Sequence, residues 1–209
     1  SAISEADGRA ITLGQHENSQ YAVALDPATG AEIWKEPLGP AFSDYPGPRS
    51  SPTIDGDRVY VVDAHGSLVC LEAATGKRIW AVDMLERFQA QNPGWGAATS
   101  PLIDGDHLIV NTGRSEIGGS VAALDKMTGE TVWKSMNGLA GHSSPVLAEC
   151  GGKRQYVFFL HKGPFGITTD GETVLWDFPW TTEYDVHAST PLVVGDQVFF
   201  SSGYGTGGA

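Results

Sequence analysis

Residues 50–83 read SSPTIDGDRVYVVDAHGSLVCLEAATGKRIWAVD. Ser51-Pro52-Thr53-Ile54 predicts a first strand, and Asp55-Gly56-Asp57 the turn behind it. Residues 58–63 are β-branched and aromatic, which predicts a second strand. Ala64-His65-Gly66 turns the chain, residues 67–72 form a third strand, and Ala73-Ala74-Thr75-Gly76 a hairpin loop. Residues 77–83 are the fourth strand and carry Trp80. Four strands joined by tight turns make one small antiparallel sheet, and the pattern recurs.

A tryptophan follows Thr-Gly by four residues at Trp34, Trp80 and Trp133, 46 and then 53 residues apart. Trp176 comes 43 residues later, after Asp170-Gly171 and one extra residue. A Ser/Thr-Pro pair opens each unit at Pro52, Pro101, Pro145 and Pro191, spaced 49, 44 and 46. Each unit's first turn supplies a glycine: Gly8, Gly56, Gly105, Gly152 and Gly195. The three markers agree on a period of about 46, the signature of a β-propeller with four strands per blade.

The residues of the repeat have physical reasons. In Asp26-Pro27-Ala28-Thr29-Gly30 the carboxylate is placed to accept backbone N–H groups ahead of it, and Gly30 to close the hairpin in the left-handed region. Asp125-Lys126-Met127-Thr128-Gly129 repeats this. The second unit has Glu72 in place of the Asp, and the fourth is degenerate. A four-stranded sheet cannot bury both faces alone. The tryptophans are therefore expected to be structural wedges between blades, each seeking a carbonyl for its indole N–H.

The 27 Gly and 12 Pro in 209 residues, with little helical periodicity, fit an all-β chain. A net charge of −12 argues against nucleic acid and against an anionic membrane surface. No apolar run is long enough for a transmembrane helix. Cys70 and Cys150 are too few for a disulfide framework and form no CxxC pattern; Cys70, between Val69 and Leu71, reads as a small core residue. In order, the blades are expected at 1–38, 48–86, 97–137 and 142–180, with the start of a further one at 187–209. The chain then reads as one partial propeller domain from a larger ring. Closure as a four-bladed ring is the weaker alternative. The exit from the second blade, MLERFQAQ, predicts one or two turns of helix before Asn92-Pro93.

The pattern AxDxxTGxxxW, at Ala24-Leu25-Asp26, Thr29-Gly30 and Trp34 and again from Ala123 to Trp133, resembles the tryptophan-docking repeat of pyrroloquinoline-quinone-type propellers. With YPGPRSSPTIDGD, GWGAATSPLIDGD and SSGYGTG, the chain is similar to pyrroloquinoline-quinone-binding-like repeat proteins of bacteria, notably planctomycetes. It also resembles the propeller lipoprotein of the outer-membrane β-barrel assembly machinery. The resemblance implies a seven- or eight-bladed ring and export to the periplasm or cell envelope; it is specific for the fold and says little of function.

By propeller geometry, the loops between second and third strands share a face with the loops leading from one blade to the next. The non-repeating polar and aromatic residues fall there: Asp44, Tyr45, Arg49, His65, Trp95, Arg114, His142, Tyr184, Asp185 and His187. The expectation is a binding face at the mouth of a central channel, for a protein or a small ligand. His142, His187 and Asp185 or Asp44 are metal-ligand types, but no short-spaced pair supports a metal site. No nucleophile elbow surrounds Ser143. The alternative is a quinoprotein dehydrogenase domain with pyrroloquinoline quinone and Ca²⁺. The resemblance implies, for such enzymes, two adjacent cysteines and a Glu/Asn/Asp calcium set, and this sequence has neither. The reading is a non-catalytic binding or scaffolding module with no cofactor and no metal.

Overall fold

A computed structural model describes residues 2–182, 187–203 and 205–209. In chain order, β1 (Ser4–Ala6), β2 (Arg9–His16), β3 (Ser19–Leu25) and β4 (Glu32–Pro40) form the first sheet. The second is β5 (Thr53–Asp55), β6 (Arg58–Val62), β7 (Ser67–Glu72) and β8 (Arg78–Asp83). A single turn of helix, α1 (Met84–Arg87), and the two-residue β9 (Ala90–Gln91) follow. The third sheet is β10 (Leu102–Asp104), β11 (His107–Asn111), β13 (Val121–Asp125) and β14 (Thr131–Ser135), with β12 (Arg114–Ser115) set between β11 and β13 in sequence. The fourth is β15 (Val146–Cys150), β16 (Lys153–Leu160), β17 (Gly163–Thr168) and β18 (Val174–Asp177). Then come two ribbons, β19 (Leu192–Val194) with β20 (Gln197–Phe199) and β21 (Ser201–Ser202) with β22 (Gly207–Gly208).

Each four-stranded sheet is an antiparallel meander in sequence order. The first strands of successive sheets touch, β1 to β5, β5 to β10 and β10 to β15, and gather about a common axis. The sheets stack face to face like propeller blades. Strand periodicity shows why both faces are apolar. From β6, Val59 and Val61 pack on Ile11, Leu13, Ala22 and Ala24 of the first sheet. Tyr60 and Val62 point the other way, onto Leu108, Val110, Ala122 and Leu124 of the third. From β11, Ile109 turns away from that cluster to meet Tyr156, Phe158 and Leu160 of the fourth. Cys70 lies fully buried within the core between the second and third sheets. Burying each such Val, Leu or Ile contributes about 1.5–3 kcal/mol.

The tryptophans dock across blades as expected for three of the four. The indole N–H of Trp34 donates to Ala73 O at 3.0 Å, that of Trp80 to Lys126 O at 3.3 Å, and that of Trp133 to Thr169 O at 3.1 Å. Every acceptor lies in the outer hairpin of the next sheet. Each ring then lies over the glycine of that hairpin, Gly76, Gly129 or Gly171, all at positive φ near 75°. Opposite each tryptophan in its own sheet stands a small residue: Ala24, Cys70, Ala123 and Gly166. A bulge follows at the same place in all four pairs. The first-turn glycines Gly8, Gly56, Gly105, Gly152 and Gly195 also all take positive φ.

Trp176 keeps the strand register, and its N–H donates to Gln155 Oε1 of its own sheet at 2.6 Å. One expectation is corrected. The first strands begin after the Ser-Pro pair, not at it, because Pro has no N–H and the Ser51 N–H bonds to the next blade instead. Within residues 112–119, β12 pairs with β9, Arg114 opposite Gln91 and Ser115 opposite Ala90. Beyond β20 the chain forms one further ribbon, β21–β22. The expected helix is the single turn α1, capped by the Asp83 carboxylate on Glu86 N–H at 3.0 Å.

Candidate functional site

The Ser-Pro pairs build the inner wall. The Ala2 N–H donates to Ser51 Oγ at 3.2 Å, the Ser51 N–H to Ser100 Oγ at 2.8 Å, and the Ser100 N–H to Ser144 Oγ at 2.9 Å. One serine per blade therefore ties the blades together around the axis. Flanking hydroxyls reinforce this, Ser4 donating to Pro52 O and Thr53 to Pro101 O, both at 2.6 Å.

Ser51, Ser100, Ser144 and Thr190 line one side of a cavity of about 570 Å³, which Tyr45, Arg49, Trp95, Ala98, His142 and Ala188 complete. Arg49 is fixed by its own loop. Its guanidinium donates to Gly47 O at 2.7 Å, Asp44 O at 2.7 Å and Tyr45 O at 2.6 Å, and it covers the Phe42 ring at 4.8 Å. Gln15 anchors the same loop by accepting from the Phe42 and Gly47 N–H groups at 2.9 and 3.0 Å. Tyr45, at φ 56° and 73% exposed, stands at the rim.

Trp95 and His142 form the partition to a second cavity of about 330 Å³, lined also by Asn92, Arg114, Ala140 and His161. The two rings lie 5.9 Å apart. Both His142 ring nitrogens are buried without a hydrogen-bond partner. Burial first, then the charges of Arg49 and His187, push the His142 pKa below the ordinary histidine value, so the ring is neutral at pH 7.

The predicted face is thus partly assembled. Tyr45, Arg49, Trp95 and His142 share one cavity, and Arg114 joins Trp95 and His142 at the second. Arg114 is paired with Glu116 at 2.8 Å. Asp44 contributes its carbonyl to Arg49. His65 sits beneath the 41–49 loop, its ring 5.3 Å from Phe42 and its Nε2 3.3 Å from Ala41 O. His187 is a core residue: fully buried, stacked on Phe159 at 4.4 Å, with Nδ1 2.7 Å from Leu160 O. Tyr184 and Asp185 lie outside the described residues. The sequence reading used the Ser-Pro pairs as punctuation only. Their regular recurrence beside the axis was the signal for Ser51, Ser100 and Ser144 as wall residues. Among the described residues, no three of His, Cys, Asp and Glu gather as a metal site.

The sequence model of one protein family, described as outer membrane protein assembly factor BamB, matches residues 18–209. The chain belongs to that family. Outer membrane protein assembly factor BamB of Marinobacter adhaerens is 27% identical over 108 residues, 52% of this chain and 23% of that protein. Quinohemoprotein alcohol dehydrogenase ADH IIB of Pseudomonas putida is 30% identical over 123 residues, 54% of this chain and 17% of that protein. Among solved structures, BamB of Moraxella catarrhalis superposes with a TM-score of 0.68 at 21% identity, covering 96% of this chain and 57% of that one. A quinohemoprotein alcohol dehydrogenase of Comamonas testosteroni gives 0.65 at 14% identity, covering 96% and 39%. The match therefore spans under a quarter of each of these two curated relatives, and the chain covers somewhat over half of the BamB structure. At these identities the structural likenesses establish the propeller fold and nothing finer.

Proposed function

We propose that the chain is a non-catalytic, protein-binding part of a β-propeller in the bacterial cell envelope, acting as an assembly factor in the manner BamB is named for. The observation that carries this reading is the family match across residues 18–209. The loop face agrees with it. Exposed Tyr45 and half-buried Trp95 and Arg49, residue types favoured at protein interfaces, surround the axial cavity on loops that depart from the repeat. The ring is taken to be larger than the present array, and the array to be one domain with blades near 1–38, 48–86, 97–137 and 142–180.

The quinohemoprotein relatives raise the alternative of a quinone held with Ca²⁺. Calcium is bound by oxygen ligands, chiefly carboxylates and carbonyls. Among the described residues the axial cavity offers an arginine, an imidazole and hydroxyls but no carboxylate. That donor set does not fit a calcium-held quinone, and no reaction step is derived through one.

The test is site-specific photocrosslinking in the full-length protein, in its native envelope. p-Benzoylphenylalanine replaces Tyr45 or Trp95, and Ala28 at the opposite ends of the strands serves as control. Discrete adducts from positions 45 and 95 but not 28 are expected. Equal labelling from position 28, or no adduct at 45 and 95, overturns the reading. So does a bound-quinone spectrum with alcohol oxidation after addition of pyrroloquinoline quinone and Ca²⁺.

A further inference from the structure

We infer that the axial cavity is a carboxylate site, taking an acidic side chain of a polypeptide partner between Arg49 and the hydroxyls of Ser51, Ser100 and Ser144. The inference rests on the protein-binding reading and names the chemistry that the partner presents.

The argument begins with the serines. A hydroxyl offers one donor and two acceptor positions. In Ser51, Ser100 and Ser144 the oxygen already accepts a backbone N–H from the preceding blade. Among the described residues, none of these three O–H groups has an acceptor. All three line the same cavity. The ladder that joins the blades thus leaves a row of hydroxyl hydrogens along one wall, and a group that fills that row must be rich in acceptors.

Arg49 supplies the charge. Three of a guanidinium's five donors are taken by Gly47, Asp44 and Tyr45 carbonyls, and the Phe42 ring supports its plane. Those bonds hold the group in place through carbonyls: the Asp44 carboxylate of the same loop acts on Arg49, but none of the ion pairs among the described residues includes Arg49. A fixed cation without a contacting carboxylate loses little freedom on binding, and preorganisation of this kind favours an anionic partner.

The surroundings sharpen the selection. The protein carries a net charge of −12, yet among the described residues no carboxylate lines this cavity. The described part of its wall is a cationic, donor-rich patch in an acidic molecule. The volume of about 570 Å³ lies within the range of ligand cavities and admits a glutamate or aspartate side chain with its flanking backbone. Tyr45 and Trp95 at the opening offer aromatic surface to that backbone.

The experiment is a calorimetric titration of the full-length protein with three probes: an end-blocked hexapeptide with two adjacent glutamates, its glutamine counterpart, and free glutarate. The glutamate peptide is expected to bind at least about tenfold tighter than the glutamine peptide, the worth of one charge-assisted hydrogen bond. Ala98→Glu plants a carboxylate in the cavity wall without touching the Arg49 loop. It should weaken the glutamate peptide about tenfold, while Ala98→Gln should leave it unchanged. Arg49→Gln should weaken it also, with the thermal midpoint checked because that side chain staples its loop. Equal affinity for the two peptides, as for a water-filled channel, overturns the inference, and so does indifference to Ala98→Glu. Glutarate binding as tightly as the peptide overturns the assignment to a polypeptide. If crosslinks from position 45 persist while the glutamate peptide does not bind, the carboxylate site falls and the protein-binding reading stands. If those crosslinks are absent, that reading itself falls.

Discussion

The ring of Trp34 lies so close over Gly76 of the neighbouring sheet that a Cβ built on the glycine would stand 2.6 Å from Cε3. Gly129 under Trp80 and Gly171 under Trp133 repeat the relationship at 2.9 and 2.5 Å. The glycine of each Thr-Gly pair, or Asp-Gly in the fourth sheet, therefore serves twice. It turns the hairpin at positive φ, and it lets a flat ring sit on the backbone.

Gly56, in the first turn of the second sheet, separates these two roles. It also has a positive φ, 56°, but no atom lies within 4 Å of where its Cβ would stand. Gly56→Ala is expected to cost only the left-handed penalty of about 1–2 kcal/mol. Gly76→Ala should cost that and a further ~1–3 kcal/mol from displacing the Trp34 ring. Urea denaturation of the two variants checks the difference; equal losses would show that the ring yields freely.

Substituting the tryptophans tests docking directly. Trp34→Phe removes the N–H that satisfies Ala73 O and shrinks a ring that is only 8% exposed. A loss of about 2–4 kcal/mol is expected, combining the cavity with an unpaired buried carbonyl. Trp133→Phe should cost less, since its ring makes the same inter-blade bond, to Thr169 O, but is less completely buried than Trp34. Thermal midpoints measured side by side would reveal this order, and a larger effect at position 133 would contradict it.

The blades were legible because their constraint is local and recurs. Thr-Gly, Trp and Ser-Pro are each forced by a turn, a wedge or an entry point, and chance does not space all three alike. The burial of His187 was not legible, because a polar residue in a loop sequence carries no sign of Phe159 beneath it. The β9–β12 ribbon joins two-residue strands from different repeats, too short for any periodicity to announce. The serine wall was visible as a motif, but only the inter-blade bonds show which side of each hydroxyl is engaged.

Asp26 and Asp125 make the hairpins sensitive to acid. Asp26 Oδ1 accepts from the Ala28 and Thr29 N–H groups at 2.9 and 2.8 Å, and Asp125 Oδ1 from Met127 and Thr128 at 2.9 and 2.8 Å. The Thr29 and Thr128 backbone bonds are the leading cause that lowers the two carboxyl pKa values. Lowered pKa values mean stability fully present above the unfolded value of about 3.9 and lost as pH falls through the folded value. Asp26→Asn keeps the acceptor without the titration, so its thermal midpoint should fall less steeply than the wild type's between pH 5 and pH 2. Parallel curves would remove Asp26 from the acid response.

His142 places a second pH dependence higher. Its ring faces Trp95; burial first, and then the positive charges of Arg49 and His187, hold its pKa below the ordinary histidine value. A histidine with a lowered folded pKa binds its proton more readily when unfolded. Its contribution is therefore present above about pH 6.5 and is lost as pH drops from there toward the folded value. The thermal midpoint should decline on going from pH 7.5 to pH 5, and His142→Gln, which cannot charge, should flatten that decline. A decline that survives His142→Gln unchanged would place the titrating group elsewhere and return His142 to the role of a neutral partition between the two cavities.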